Sequence, residues 1–397
     1  MLEFNICDTE KCIGCGACMQ KCPAKAITLE PDEEGFLRPS INENCIDCKM
    51  CVKICPQNKE YQPSAEMQEC YAVQLKDEKL LKQSTSGGVF ILLAGYVIEK
   101  GGVVFGAAYD EKMVVRHRYA ETLEDVFPMQ GSKYVQSDIG DMYSLAEKFL
   151  KNGRYVLFSS TPCQIVGLYS FLGRNYENLI TLDFICSGVQ SPWLFSEYIK
   201  SIERQHHSTV YDYRFRDKTD YGCSNTTVIM ETDKKSKREN RIVIKDRQNV
   251  SYYVAFGKQQ FLRPSCYGCS YNQTDRLSGF TCGDYEGKNA DILSLGEGTK
   301  AGISVLIVHT EKGMKIFNEM KTRFEQITAS ADMIAEGNPM FNSGIMKEAR
   351  RSDMFDYLRK HGYLKTARKY FPAENQFTVK KLIPVSVKKA ILKLLSK

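Results

Sequence analysis

The chain has 397 residues, 43% of them apolar and 26% charged, which suits two or three ordinary soluble globular domains. Its net charge of +6 is mild and scattered along the length, so no nucleic-acid partner is expected. With no run of about 18 apolar residues and no basic or apolar leader in Met1 to Cys7, a cytoplasmic location is expected rather than a membrane span or secretion.

Half of the sixteen cysteines fall into two copies of one spacing. Cys12, Cys15, Cys18 and Cys22-Pro23 form the first, and Cys45, Cys48, Cys51 and Cys55-Pro56 the second. C-x2-C-x2-C-x3-C-P is the spacing of a chain wrapped around a 4Fe-4S cluster, because three thiolates two residues apart on a turning backbone can reach three corners of one cubane. As in two-cluster ferredoxins, the fourth cysteine is expected to cross over. Cys12, Cys15, Cys18 and Cys55 then hold one cluster and Cys45, Cys48, Cys51 and Cys22 the other. The competing readings, disulfides or zinc, are disfavoured by the doubled spacing and by the reducing compartment it implies. Gly14 and Gly16 would let the backbone approach the inorganic sulfides. Asp47 and Lys49 replace them in the second copy and predict a more polar shell there.

Between the motifs, Ala26 to Leu29 and Phe36 to Arg38 flank the turn residues Pro31, Asp32 and Gly35 and read as a hairpin. Such a module has little core of its own, so metal would supply much of its folding free energy. The polar stretch Asn58 to Ser64 reads as a linker. The expected organisation is a bacterial ferredoxin-like domain over 1–62, an α/β domain with a mixed sheet over 63–330, and a helical extension over 331–397.

In the second domain strands alternate with helices. Strands are expected at Cys70 to Gln74, Gly101 to Ala108, Met113 to Tyr119, Tyr155 to Phe158, Leu179 to Ile185 and Ile303 to His309. Thr227 to Met230 and Arg241 to Ile244 read as a hairpin. Helices are expected from Val89 to Lys100, Tyr143 to Lys151, after Thr161-Pro162, from Pro192 to Glu203, Tyr253 to Leu262 and Glu311 to Met320. The end, Lys388 to Leu395, is basic and amphipathic. It would suit either peripheral membrane contact or, more readily for so short a stretch, a docked helix or solvated tail.

Several residues carry candidate chemistry. Ser86-Gly87-Gly88 opens a helix, where free N-H groups and the helix dipole can hold a phosphate. No G-x-G-x-x-G follows a strand, so no nicotinamide site is expected. Cys163 begins a helix after a buried strand, a setting that would lower a thiol pKa and suit metal ligation or nucleophilic attack. Cys186 ends the next strand, at the same sheet edge, and Cys266 and Cys269 form a C-x2-C pair that alone would also suit zinc or a redox dithiol. Cys7, Cys70 and Cys223 read as isolated and inert, and His117 and His309 as packed. Asp284 and Glu297 are candidate proton donors without a spacing argument for either.

The ordered phrases Ser84-Thr85-Ser86-Gly87-Gly88-Val89-Phe90, Gly131-Ser132-Lys133-Tyr134, Thr161-Pro162-Cys163-Gln164, Cys186-Ser187-Gly188-Val189-Gln190-Ser191-Pro192, Cys266-Tyr267-Gly268-Cys269 and Gly283-Asp284-Tyr285 resemble the coenzyme F-420 hydrogenase/dehydrogenase beta-subunit family. The resemblance covers about Tyr71 to Lys321. It implies a flavin, usually FAD, beside iron-sulfur clusters, with Ser86, Gly87, Gly88, Lys133 and Tyr134 at the flavin and Lys133 near its pyrophosphate or N1. It also implies a third 4Fe-4S cluster on Cys163, Cys186, Cys266 and Cys269. The alternative keeps Cys163 as a catalytic thiol, with Cys282 or nothing at the metal. The resulting expectation is an iron-sulfur flavoprotein oxidoreductase fed by a ferredoxin-type donor and reducing a small substrate, of a sugar or sugar-nucleotide class. The alternatives are a deazaflavin oxidoreductase subunit of a hydrogenase or dehydrogenase and a non-catalytic electron-transfer adaptor.

Overall fold

The structure is a computed structural model that describes residues 5–63, 69–218, 225–230, 240–244, 247–285, 301–341, 345, 347 and 350–373. Cys223, Glu297 and the basic tail at 388–395 lie outside the described residues. In the N-terminal module, helices α1 (Ala17–Gln20) and α2 (Met50–Ile54) carry the third cysteine of each motif. Between them β1 (Ile27–Pro31) and β2 (Leu37–Ile41) pair antiparallel, with Glu30 opposite Arg38.

The second domain runs β3 (Glu69–Leu75), α3 (Glu78–Gln83), α4 (Val89–Glu99), β4 (Val103–Tyr109), β5 (Val115–Ala120), α5 (Leu123–Val126), α6 (Met142–Lys151), β6 (Val156–Ser159), α7 (Pro162–Leu172) and β7 (Leu179–Phe184). It continues with α8 (Pro192–His206), β8 (Val210–Asp217), β9 (Asn225–Met230), β10 (Asn240–Ile244), α9 (Ser251–Gly257), β11 (Phe280–Asp284), β12 (Ser304–Val308), α10 (Glu311–Met320) and β13 (Phe324–Ala329). Helices α11 (Ala331–Gly337) and α12 (Arg351–Tyr370) follow, the latter broken at Gly362.

Eight strands form one mixed sheet in the order β13-β3-β12-β11-β7-β6-β4-β5. The central strands β4, β6, β7 and β11 are parallel, and antiparallel strands flank them. Val156, Leu157 and Phe158 are buried without alternation, as a strand covered on both faces requires. Ligand sites in such sheets lie outside the carboxyl ends of the parallel strands. That edge carries Ser159 to Cys163 after β6 and Ile185-Cys186 after β7. A second sheet, β10-β9-β8, stands apart, and its aromatic core with α8 and α9 includes Tyr198, Tyr213, Phe215 and Tyr252.

The expected α/β class and most elements are present, with three differences. Strands β8, β11 and β13 are not among the expected elements; β11 and β13 are short, and β8 carries an alternation of Tyr211, Tyr213 and Phe215 with charged residues that the sequence reading passes over. Helix α9 ends at Gly257 rather than Leu262, because Gln259 and Phe261 turn left-handed (φ 56° and 58°) to swing the chain toward Arg263. The third difference concerns the module, whose core is shared with the large domain rather than merely thin. Phe36, fully buried, belongs to the aromatic core of the large domain, and Ile13, Cys15 and Ala17 pack with residues of α6 and α7.

The hairpin tip explains the docking. Gly35 (φ 83°) passes so close to α8 that a Cβ there would lie 2.4 Å from Trp193 Cβ. Arg351 at the start of α12 grips Glu34 with both terminal nitrogens at 2.5 Å, and Ser191 Oγ donates to the Glu34 carbonyl. Replacing Phe36 with Ala should therefore destabilise the whole chain by about 3–5 kcal/mol. A lowered midpoint of chemical unfolding checks this, and an unchanged midpoint would mean that the module docks without it.

Candidate functional site

The cysteines assemble into three sets. Cys22, Cys45, Cys48 and Cys51 line one void beside Ile27 and Ile41, so the fourth thiol of the first motif does cross to the second. Cys12, Cys15, Cys18 and Cys55 lie close enough to perturb one another's ionisation, and Cys55 crosses in the opposite sense. In both copies the loop residues are left-handed: Gly14 and Gly16 at φ 64° and 73°, Asp47 and Lys49 at 52° and 55°. The second copy thus keeps the same backbone with an exposed Lys49–Asp47 ion pair of 2.6 Å. Cys7 is not isolated, since its thiol lies against Cys12 and Cys55, whereas Cys70 is buried in the sheet.

Among the described residues, no three or more His, Cys, Asp or Glu side chains converge as a single metal ion would require. Cys22, Cys45, Cys48 and Cys51 ring one void and Cys163, Cys186, Cys266 and Cys269 another, a donor arrangement that fits a multinuclear iron-sulfur cluster.

A second void is lined by Cys163, Cys186, Cys266 and Cys269, the four cysteines expected from the loops after β6 and β7 and from the C-x2-C pair. Hydrogen bonds reach all four sulfurs: Thr161 Oγ1 at 3.2 Å from Cys163, the Gly188 N-H at 3.4 Å from Cys186, the Val189 backbone at Cys266, and the Tyr271 and Asn272 backbone at Cys269. Cys282 is elsewhere, on the wall of a neighbouring cavity. The expected lowering of the Cys163 pKa is corrected: burial and the nearby Cys269 push it up to about 12, and Cys266 goes up to about 11. Position at a helix start is outweighed by desolvation. A free Cys163 is therefore a protonated, weak nucleophile, and metal binding would be what ionises the set, with release of protons.

The first motif touches this third set. Ile13 lines its void, and Tyr271 lies between Cys15 and Cys55 on one side and Cys163 and Cys269 on the other, its hydroxyl accepting from Gln57 Nε2 at 2.6 Å. Arg263, 1% exposed, bridges the two: Nε donates to the Cys12 carbonyl at 2.7 Å and Nη1 to Gln136 Oε1 at 2.7 Å. Gly14 serves this contact, because a Cβ there would stand 2.9 Å from Arg263 Nη1 and 2.7 Å from Gln136 Nε2. The sequence alone assigns it to the sulfides instead.

On the other side of Cys186 and Gly188, which line both spaces, a cavity of about 440 Å³ opens along the carboxyl edge of the sheet. This is within the range of small-molecule and cofactor sites. Ser86, Gly88, Lys133 and Tyr134 line it. Gly88 (φ 90°) begins α4 with no capping side chain, so the N-H groups of the first turn are available to an anion. Gly87 has another role. Its N-H donates to Ser304 Oγ at 2.8 Å, and a Cβ would meet the Val73 carbonyl at 2.2 Å, so it packs the loop on the sheet. The Ser86 hydroxyl donates to the Ile303 carbonyl at 2.7 Å. Lys133 Nζ donates to the carbonyls of Gln130 at 2.9 Å, Gly131 at 3.3 Å and Met129 at 3.4 Å, and burial lowers its pKa to about 8. It is a half-buried cation held by the turn that carries it. The fit to a flavin is thus an anion-ready helix start and a half-buried ammonium at one end, with an apolar wall of Leu182, Phe184 and Ile185 toward Cys186.

Three further residues of the cavity are missed or undervalued by the sequence pattern. His117 Nε2 faces the Ser159 carbonyl at 3.2 Å, so the ring proton sits there and Nδ1 accepts from Ser137 Oγ at 2.9 Å. Arg216 and Asp284 pair on the opposite wall. Alternation in β5 shows His117 facing inward but gives no sign that inward means the cavity. His309, by contrast, is fully buried on Thr281 at 2.8 Å, as expected.

Residues 153–332 match the family described as the C terminus of the coenzyme F420 hydrogenase/dehydrogenase beta subunit, and residues 11–59 match the 4Fe-4S dicluster domain. No curated protein matches the chain in sequence. Among solved structures it is similar to a chain reported under the xenon derivatization of the F420-reducing NiFe hydrogenase complex from Methanosarcina barkeri, at 18% identity and a TM-score of 0.44, over 78% of this chain and 92% of that one. The family resemblance drawn from the sequence phrases is borne out over residues 153–332, which leaves the phrases Ser84 to Phe90 and Gly131 to Tyr134 outside the matched residues, and the N-terminal region is a 4Fe-4S cluster-binding domain. No helix among the described residues is long and apolar enough to cross a membrane. Replacing Cys186 with Ser should remove about one third of the iron and labile sulfide of the anaerobically purified chain while sparing the N-terminal clusters. Unchanged iron in that variant would reject the third set as a cluster site.

Proposed function

We propose that this chain is an iron-sulfur oxidoreductase that moves electrons between its N-terminal clusters and a flavin-class ring in the large cavity, with a deazaflavin coenzyme as its two-electron partner. The observation that carries this reading is the sequence of thiol sets from surface to cavity. Cys22, Cys45, Cys48 and Cys51 come first, then Cys12, Cys15, Cys18 and Cys55, then Cys163, Cys186, Cys266 and Cys269, with Cys186 on the cavity wall. The match of residues 153–332 weighs toward the deazaflavin partner over a sugar or sugar-nucleotide substrate. When bound, clusters supply one-electron steps, and a flavin, FAD by the resemblance, converts them to a hydride equivalent.

The chain's own residues have separable tasks in this reading. Cys48 is exposed, and beside it Ile46 is 65% and Met50 37% exposed, a patch at which a ferredoxin-like protein could exchange electrons with the outermost set. The first turn of α4 and Lys133 hold the phosphate end of the flavin. His117, kept neutral by burial with a pKa lowered to about 4, holds the Ser137 hydroxyl on the cavity wall near Cys186. Gln164 fixes that wall by accepting from Ser160 Oγ at 2.6 Å and donating to the Ser137 carbonyl at 3.0 Å.

The test is made on anaerobically purified full chain. Denaturation should release a flavin, and chemically reduced protein should bleach the absorbance of added coenzyme F420. If the coenzyme is unchanged while the flavin reoxidises on a sugar nucleotide, the substrate assignment reverses. If neither reoxidises it, the chain is an adaptor for a separate catalytic partner.

The pH dependence of flavin binding tests the phosphate end. A charged Lys133 favours a bound phosphate, and its depressed pKa means that the charge is present below about 8 and lost above it. Affinity for FAD or FMN should therefore be highest below pH 8 and weaken as pH rises through that value. Lys133→Met should bind more weakly and flatten the profile, as read by flavin fluorescence titration. A profile identical in the variant would remove Lys133 from the flavin site.

A further inference from the structure

We infer that Arg263 is a positioning charge that sets the electron affinity of the two inner thiol sets; the inference rests on the cluster reading proposed above. Its guanidinium is 1% exposed and fully engaged. Nε donates to the Cys12 carbonyl at 2.7 Å, Nη1 to Gln136 Oε1 at 2.7 Å, and Nη2 to the Leu37 carbonyl at 2.9 Å and to Cys12 Sγ at 3.5 Å. The same side chain lines the void of Cys163, Cys186, Cys266 and Cys269.

The other buried or half-buried guanidinium groups nearby have carboxylates. Arg38 pairs with Asp32 at 2.9 Å, Arg276 with Asp183 at 3.5 Å and Arg351 with Glu34 at 2.5 Å. Arg263 pairs with no carboxylate among the described residues, although Arg38 also reaches the Cys12 carbonyl at 3.3 Å. An arginine cannot shed its proton to escape burial, so a dry, unpaired guanidinium needs another anion. Cys12 Sγ lies 3.5 Å from Nη2 and Cys266 lines the same void as the guanidinium, so thiolates of a bound cluster would take the place of the carboxylate.

The consequence is electrostatic. A thiolate-held iron-sulfur core gains one negative charge with each electron accepted, and a fixed cation a few bonds away in a dry setting favours the reduced form. All of Arg263's hydrogen bonds go to the middle set and its surroundings, and its outer face is on the inner void. None goes to Cys22, Cys45, Cys48 or Cys51. Arg263 thus raises the potentials of the middle and inner sets relative to the outer one and grades the path inward.

Redox titration followed by EPR on anaerobically purified full chain tests this. In Arg263→Gln the middle and inner clusters should become harder to reduce, with lower midpoint potentials, while the outer cluster stays unchanged. Arg263→Lys, which keeps the charge but not the fork of donors, should recover part of the shift. Clusters present with unchanged potentials in Arg263→Gln would overturn the inference. Should that variant lose its clusters, Gly14→Ala is read instead, because the added Cβ would stand 2.9 Å from Arg263 Nη1 and must push the charge aside. A lowered middle potential there supports the inference and an unchanged one overturns it. Absence of clusters in the unaltered chain would instead overturn the cluster reading itself.

Discussion

The contact between Cys15 and Gly167 fixes how closely the small module approaches the rest of the molecule. A Cβ on Gly167 would lie 2.6 Å from Cys15 Cβ and 2.8 Å from the Tyr143 hydroxyl, so only glycine lets the cysteine rest on α7. The same helix begins with Pro162 and Cys163. One rigid element therefore carries a thiol of the inner set on its first turn and receives a thiol of the middle set on its flank. Tyr271 and Ile13 fill the space between, and the two sets are neighbours across a few side chains. Electron transfer over such a gap would need no movement of the module.

That closeness also ties folding to metal. The thiols of the inner set are held protonated by burial and by one another, so the apo cage is a cluster of weak donors around a void. Loading with iron would ionise them and join three separate stretches of chain: the turn after β6, the end of β7 and the C-x2-C loop. The hairpin tip works in the same direction without metal, through Phe36, the Glu34–Arg351 ion pair and the packing of Gly35 on Trp193. The module and the large domain share one packed seam here.

Much of this is legible in the sequence because it is local. The doubled cysteine spacing and the sheet edge bearing Cys163 and Cys186 follow from short-range geometry and from the alternation of strand and helix, whereas the crossed fourth thiols come from the likeness to two-cluster ferredoxins. What escapes depends on partners far along the chain. Gly87 reads as a phosphate loop until Val73 and Ser304 are seen against it. Gly14 reads as room for sulfide until Arg263, some 250 residues later, is found in that space. Arg263 carries one weak signal, a charge set between Phe261-Leu262 and Pro264 just ahead of Cys266. Only the fold shows that it lies buried between two thiol sets.

Everything proposed for this chain depends on the inner cage being a working redox centre beside the middle set. Low-temperature EPR of the fully reduced, anaerobically purified chain addresses this most directly, because paramagnetic clusters separated by only a few side chains interact. The expected result is a broadened, interacting spectrum that simplifies when reduction is partial. A spectrum that remains the sum of two isolated clusters at every level of reduction would contradict it.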